Sequence, residues 1–117
     1  MKRAGRRAKK TNVRVVLSTA PSAVAARRIA RAVLLERLAA CVHVAARGES
    51  SYWWKGRMEQ TGEFAMTFKT SAERKDALIA AIAAAHPYKV PEILVLDASE
   101  GSAAYLQWIE EETRPRR

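Results

Sequence analysis

His86 stands in "AAAHPYKVPEILVL" (residues 83–96), six positions before Glu92, and prolines at 87 and 91 stiffen the chain between them. A neutral imidazole is a good ligand for copper or zinc, and a carboxylate at a fixed separation would supply a second donor. The same histidine also reads as the last residue of a helix, where a partly positive ring is favoured by about 0.3–1 kcal/mol. Cys41 and His43 form a second group, a Cys-x-His pair on one face of a strand. As the only thiol, Cys41 reads either as a ligand or as a small buried hydrophobe; His43 reads as a surface residue. No H-E-x-x-H, paired CxxC, phosphate loop or GxGxxG pattern occurs.

The elements that must position these groups follow from periodicity. "VRVVLST" (13–19) is rich in β-branched residues and reads as a strand. The next segment, opened by Pro21 with Ser22 at the N-cap, is helical. It carries Ala26, Ile29, Ala30, Val33 and Leu34 on one face and Arg27, Arg28 and Arg31 on another, with Leu35 among the arginines. "CVHVAARGESSYWWKG" (41–56) returns to strand, with Val42 and Val44 opposite Cys41 and His43. Lys55-Gly56 marks a turn into "EFAMTFKT" (63–70), which alternates with Phe64, Met66 and Phe68 inward and Ala65, Thr67 and Lys69 outward. "TSAE" (70–73) has the pattern of a capping box, Thr70 at the N-cap and Glu73 three positions on. A helix with Leu78, Ile79 and Ile82 on one stripe follows, closed by Pro87. "ILVL" (93–96) is apolar on both faces, as in a central buried strand. "SAAYLQWIEEET" (102–113) reads as a last helix with Tyr105, Leu106, Trp108 and Ile109 as its packing residues.

The order is β-α-β-β-α-β with an added helix, an α+β ferredoxin-like arrangement. Its hairpin from Cys41 to Thr70, between the second and third strands, is long, and the outer half carries Tyr52, Trp53 and Trp54. A bare two-stranded hairpin with exposed aromatics is marginal alone and invites aggregation. Self-association answers both problems.

The chain has 117 residues and a net charge of +9, enough for one domain with a modest core. Lys2, Arg3, Arg6, Arg7, Lys9 and Lys10 at the start, with Arg114, Arg116 and Arg117 at the end, account for the whole excess. The remaining 12 basic residues balance 12 acidic ones. We therefore expect a disordered basic tail over 1–12, a domain over 13–113, and a short basic tail over 114–117. The tails imply weak polyanion contact and not a specific nucleic-acid fold. No apolar run approaches the roughly 18 residues of a membrane helix, and Arg14 interrupts the apolar stretch behind the basic start, against a signal peptide. A lone cysteine fits the reducing cytoplasm.

Six motifs in register make the reading specific: "VVLSTAPS" (15–22), "ERLAACV" (36–42), "SSYWWKG" (50–56), "FKT" (68–70), "HPYKVPEILVL" (86–96) and "YLQWIEE" (105–111). Together they resemble the CutA family, the divalent-cation tolerance proteins, over residues 13–112. The resemblance implies a ferredoxin-like homotrimer in which hairpin strands of neighbouring subunits pair. It also implies a link to copper or another divalent cation, with His86 and Glu92 as candidate ligands and Cys41 as a further one. Ser18 stands where some family members place a cysteine proposed to bind copper, and a hydroxyl is a poor soft-metal ligand. The fold and trimer also resemble P-II signalling proteins. On that alternative an intersubunit cleft around Lys69, Trp54, Tyr88, Glu92 and Ser18 would bind a small anionic ligand, although Lys69 reads equally as a salt-bridge residue. The tryptophans read as trimer packing.

Two further classes fall away on missing parts. Acylphosphatases share this small fold but need an asparagine to orient water, and the only asparagine here is Asn12, in the basic start. The strand "EFAMTFKT" lacks the stacking motif of RNA-recognition domains. The sequence thus reads as a non-enzymatic CutA-like trimer.

Overall fold

The computed structural model describes residues 7–9 and 11–116, with side chains from residue 11 onward. The elements are β1 (Arg7–Lys9), β2 (Val13–Ala20), α1 (Ala23–Leu35), β3 (Cys41–Trp54), β4 (Arg57–Ser71), α2 (Lys75–Ala85), β5 (Leu94–Asp97), β6 (Glu100–Ser102) and α3 (Ala103–Glu112). Four strands form one sheet in the order β3-β4-β2-β5, every pair antiparallel. This is the expected ferredoxin-like order. The alternating apolar residues of β2 and β4 turn one sheet face toward α1 and α2. Val16, Ala26, Ile29, Val33, Met66, Phe68, Leu78 and Ile82 close a core there. Each large side chain so buried contributes about 1.5–3 kcal/mol. A second, smaller cluster joins Val13 to Leu106 and Ile109 of α3.

Helix α1 begins as expected, with Ser22 Oγ accepting from the Ala25 N–H at 3.1 Å. The second helix does not. Strand β4 runs on to Ser71, so Thr70 is fully buried, and its hydroxyl donates to the Leu38 carbonyl at 2.7 Å. Ser71 Oγ instead accepts from the Arg74 N–H, and α2 starts at Lys75 without a side-chain cap. A local capping pattern lost here to a long-range bond inside the core, which the dry surroundings make worth more.

The hairpin extends over 14 residues of β3 and 15 of β4. Its turn is Lys55-Gly56, both at positive φ (51° and 78°), as a two-residue turn matched to strand twist requires. A bulge between Val44 and Arg47 breaks the register once. Tyr52, Trp53, Trp54 and Met58 on its outer half are exposed.

One expectation is corrected. Strand β5 is an edge strand bonded to β2 alone among the described residues, and Leu94 and Leu96 are half exposed, at 55% and 50%. "ILVL" is apolar on both faces because Ile93 and Val95 pack on the core, while the opposite face is left bare by a single chain. Within the stretch expected to be a disordered tail, Arg7–Lys9 forms a strand antiparallel to β6, Lys9 opposite Glu100. The other residues of that tail up to Lys10 lie outside the described residues.

Replacing Thr70 by valine, which keeps the shape and deletes the hydroxyl, leaves the buried Leu38 carbonyl without that donor. The expected loss is about 1–3 kcal/mol, read by urea denaturation at fixed protein concentration. An unchanged midpoint would remove this bond from the account of how β4 meets the end of α1.

Candidate functional site

Strand β2 ends at Thr19 and Ala20, next to Ala65 and Phe64 of β4. Helix α2 ends at His86, whose backbone is already extended because Pro87 disfavours helical geometry before it. The two ends meet. His86 is buried, 8% exposed, and its Nε2 lies 2.6 Å from the Thr19 carbonyl oxygen. Its Nδ1 accepts from the Tyr88 N–H at 3.1 Å. An acceptor at Nδ1 assigns the proton to Nε2, which therefore donates to Thr19.

Beyond His86 the segment through Glu92 folds back along the hairpin. Tyr88, its ring tilted against His86 at 5.0 Å between centroids, donates its hydroxyl to Glu63 Oε2 at 2.9 Å. Thr19 Oγ1 donates to the same oxygen at 3.3 Å. Both bonds fall on Oε2, and none falls on Oε1 among the described residues. Between this segment and one face of the hairpin lies an open cleft of about 780 Å³, lined by Thr19, Ser50, Ser51, Tyr52, Trp54, Glu63, Pro87, Tyr88, Lys89, Val90 and Glu92.

The Tyr88 hydroxyl is pushed up from 10.0 to about 12. Desolvation is the first cause, then the hydrogen bond to Glu63, then the charges of Glu63 and Tyr52. It holds its proton at neutral pH and acts as a fixed donor, unsuited to proton transfer there.

The structure brings Trp54, Tyr88 and Glu92 into one cleft, together with Glu63, Thr19 and Lys89. It separates the rest. Lys69 lies six residues along β4 from Glu63, about 20 Å at ~3.4 Å per residue, and pairs in register with Cys41 and Val15. Ser18 is buried, 2% exposed, and its hydroxyl donates to the Thr19 carbonyl at 3.4 Å. Within one chain, the cleft's two carboxylates and its distance from Lys69 do not favour an anionic ligand. The expected metal donors are also apart. His86 has both ring nitrogens spent on the backbone, Cys41 opens β3 beside Lys69, and His43 is exposed opposite Thr67. Among the described residues no three His, Cys, Asp or Glu side chains cluster as a metal site. The residues of one chain do not fit a closed copper centre. His86 instead positions the loop that walls the cleft.

Because the folded-state value of Tyr88 exceeds that of the unfolded chain, its contribution to stability is complete below about pH 10 and is lost as pH rises through about 12. Following tyrosine ionisation by ultraviolet absorbance, Tyr88→Phe should delete the last-titrating group. Glu63→Gln should bring it back toward 10. An identical titration in Glu63→Gln would mean that the Tyr88–Glu63 bond does not control the hydroxyl.

Comparison with known proteins agrees with the fold and with the motifs. The family model for the CutA1 divalent ion tolerance protein matches residues 14–112. A divalent-cation tolerance protein CutA of Yersinia pestis (strain Pestoides F) is 41% identical over 99 residues, covering 85% of this chain and 83% of its own. The crystal structure of CutA from Xylella fastidiosa superposes with a TM-score of 0.87 at 38% identity, over 89% of this chain and 100% of that one. The divalent cation tolerance protein of Thermus thermophilus gives 0.84 at 41% identity, over 87% and 99%. With the ferredoxin-like sheet in place and a family match running from β2 to the end of α3, the chain belongs to the CutA1 family of divalent ion tolerance proteins.

Proposed function

We propose that this chain acts, without catalysis, as a homotrimer in the cytoplasm that supports tolerance of copper or another divalent cation, meeting the ion as a weakly held ligand. The observation that carries the reading is the pair of carboxylates, Glu63 and Glu92, in one cleft of a divalent ion tolerance protein. Oxygen donors suit hard divalent ions and bind copper without selecting it. Glu63 Oε1 and the exposed Glu92 carboxylate are the donors; His86 holds the cleft wall and does not ligate. The non-enzymatic reading draws on the cleft's proton donor, Tyr88, whose raised value keeps it from exchanging protons near neutrality.

The trimer reading draws on surface that one chain leaves uncovered. Trp53 is 71% exposed at the hairpin's outer half, and Leu94 and Leu96 face outward from an edge strand. Exposed apolar groups beside an unpaired edge mark a protein–protein interface. Light scattering should return three times the 13.0 kDa chain mass. Trp53→Asp should lower it. A monomer in the unaltered chain would overturn the assembly.

Calorimetric titration with Cu(II) tests the ligand. Few-ligand oxygen sites bind divalent ions with dissociation constants on the order of 10⁻⁴ M, and that range is expected here. Glu92→Gln should weaken the binding, and His86→Gln should cost stability while leaving the binding of the folded protein in place. Submicromolar binding lost in His86→Gln would instead make the imidazole a ligand.

A further inference from the structure

Helix α1 has an outer face that the described residues leave uncovered. Ala25, Ala26, Ile29 and Val33 form its buried side. At about 3.6 residues per turn, Val24, Arg27, Arg28, Arg31, Leu34 and Leu35 fall together on the opposite side, and all six are exposed. Val24 and Leu35, at its two ends, are 57% and 70% exposed. The helix contains no acid, and its three arginines make no ion pair or side-chain hydrogen bond among the described residues. By contrast, Arg14 meets Asp97, Arg37 meets Glu112, and Arg74 donates to the Glu36 carbonyl. Helix α2 packs beside α1 and buries Leu78 and Ile82, so its exposed Ala77, Ala80, Ala83 and Ala84 turn outward as well. The two helices thus present a basic stripe beside a stripe of alanines. This side stays open in the trimer proposed above. Ile93 and Val95 pack on the helix-covered core, and Leu94 and Leu96, alternating with them, point to the other face of the sheet.

We propose that the outer face of α1 rests on an anionic lipid bilayer, its guanidinium groups on lipid phosphates and Val24 and Leu35 at the headgroup boundary. Guanidinium groups match phosphate oxygens two at a time, and an anionic leaflet attracts basic side chains close to its surface. Among the described residues no helix is long and apolar enough to cross a membrane, so the contact is peripheral. A nucleic acid would use the same arginines for its phosphates. It would leave the two exposed aliphatic side chains idle, and α1 carries no amide or hydroxyl to read a base edge. The basic residues before β2 have the same sign and add attraction without choosing the face. The proposal does not draw on the cleft or on the divalent-cation reading.

The test is co-flotation of the full-length protein with vesicles of mixed phosphatidylglycerol and phosphatidylcholine, against phosphatidylcholine alone, at physiological salt with a chelator present. The protein should float with the anionic vesicles only. Arg27→Gln, Arg28→Gln and Arg31→Gln combined should lower the ratio of bound to free protein about a hundredfold or more, although both basic ends of the chain remain. Leu35→Ser should lower it about fivefold and leave retention on an immobilised single-stranded oligonucleotide unchanged. All four side chains are exposed, and circular dichroism with the oligomeric mass checks that each variant folds. Absence of flotation would overturn the proposal. So would flotation unchanged in the triple variant, which would assign the binding to the basic ends. An unchanged ratio in Leu35→Ser would point to a soluble polyanion as the partner and overturn it as well. Because the chelator removes divalent ions, failure here leaves the copper titration untouched, and failure there leaves this surface standing.

Discussion

One hydrogen bond, from His86 Nε2–H to the Thr19 carbonyl, ties the end of α2 to the end of the central strand β2. Near the edge of the sheet the last carbonyls of a strand begin to lose ladder partners, and the Thr19 carbonyl takes two side-chain donors instead, the imidazole at 2.6 Å and the Ser18 hydroxyl at 3.4 Å. The imidazole supplies a donor, and accepting the Tyr88 N–H at Nδ1 fixes which nitrogen carries the proton. Tyr88 is thereby aimed back at β4, where it meets Glu63. Thr19 closes the loop of constraints by also donating to Glu63. The cleft wall thus stands on a chain of bonds from helix end to strand end to loop to hairpin. Pro87 and Pro91 contribute by limiting the conformations the loop gives up on closing.

The hairpin presents the opposite situation. Its base is pinned by β2 on one side, but the outer half is a two-stranded ribbon with aromatic side chains in water. Two-stranded ribbons are marginal by themselves. The bulge between Val44 and Arg47 increases local twist and separates the core-facing base from that outer half. Tyr52 and Trp54 line the cleft on one face of that ribbon, and Trp53 stands exposed on the other.

The fold was legible because its signals are local or strongly periodic. Alternation in "EFAMTFKT", the apolar stripe on α1 as far as Val33, the Ser22 cap and the Lys55-Gly56 turn each state their own geometry and stand in the structure, while Leu34, expected on that stripe, is exposed. Thr70 misled because a good capping pattern says nothing of a carbonyl 32 residues earlier. "ILVL" misled because composition cannot tell a strand buried within its own chain from an edge strand with one bare face. At the site, Trp54, Tyr88 and Glu92 were placed together through the family motifs. Glu63 was readable only as an outward residue at the start of an alternating run. Its partner Tyr88 lies 25 residues on, and only the fold of the 86–92 segment joins them. His86 was visible as two alternatives, and in one chain both of its ring nitrogens meet backbone groups at the helix end.

That decision reaches into what the cleft can recognise. A site that grips copper strongly needs soft or borderline donors free to bind, imidazole nitrogen or thiolate. Here the buried imidazole is consumed in holding the loop, and Cys41 is paired in register with Lys69, away from the cleft. What remains for a ligand is oxygen and aromatic surface. Carboxylate oxygens discriminate mainly by charge, size and coordination number, and ring faces respond to a cation whether or not it is a metal. On the proposed reading, spending the nitrogen on structure shifts the site from selecting an element to selecting a charge. On the same reading, weak and general recognition of cations is the physical consequence, and it suits tolerance of divalent ions as a class better than storage of one of them.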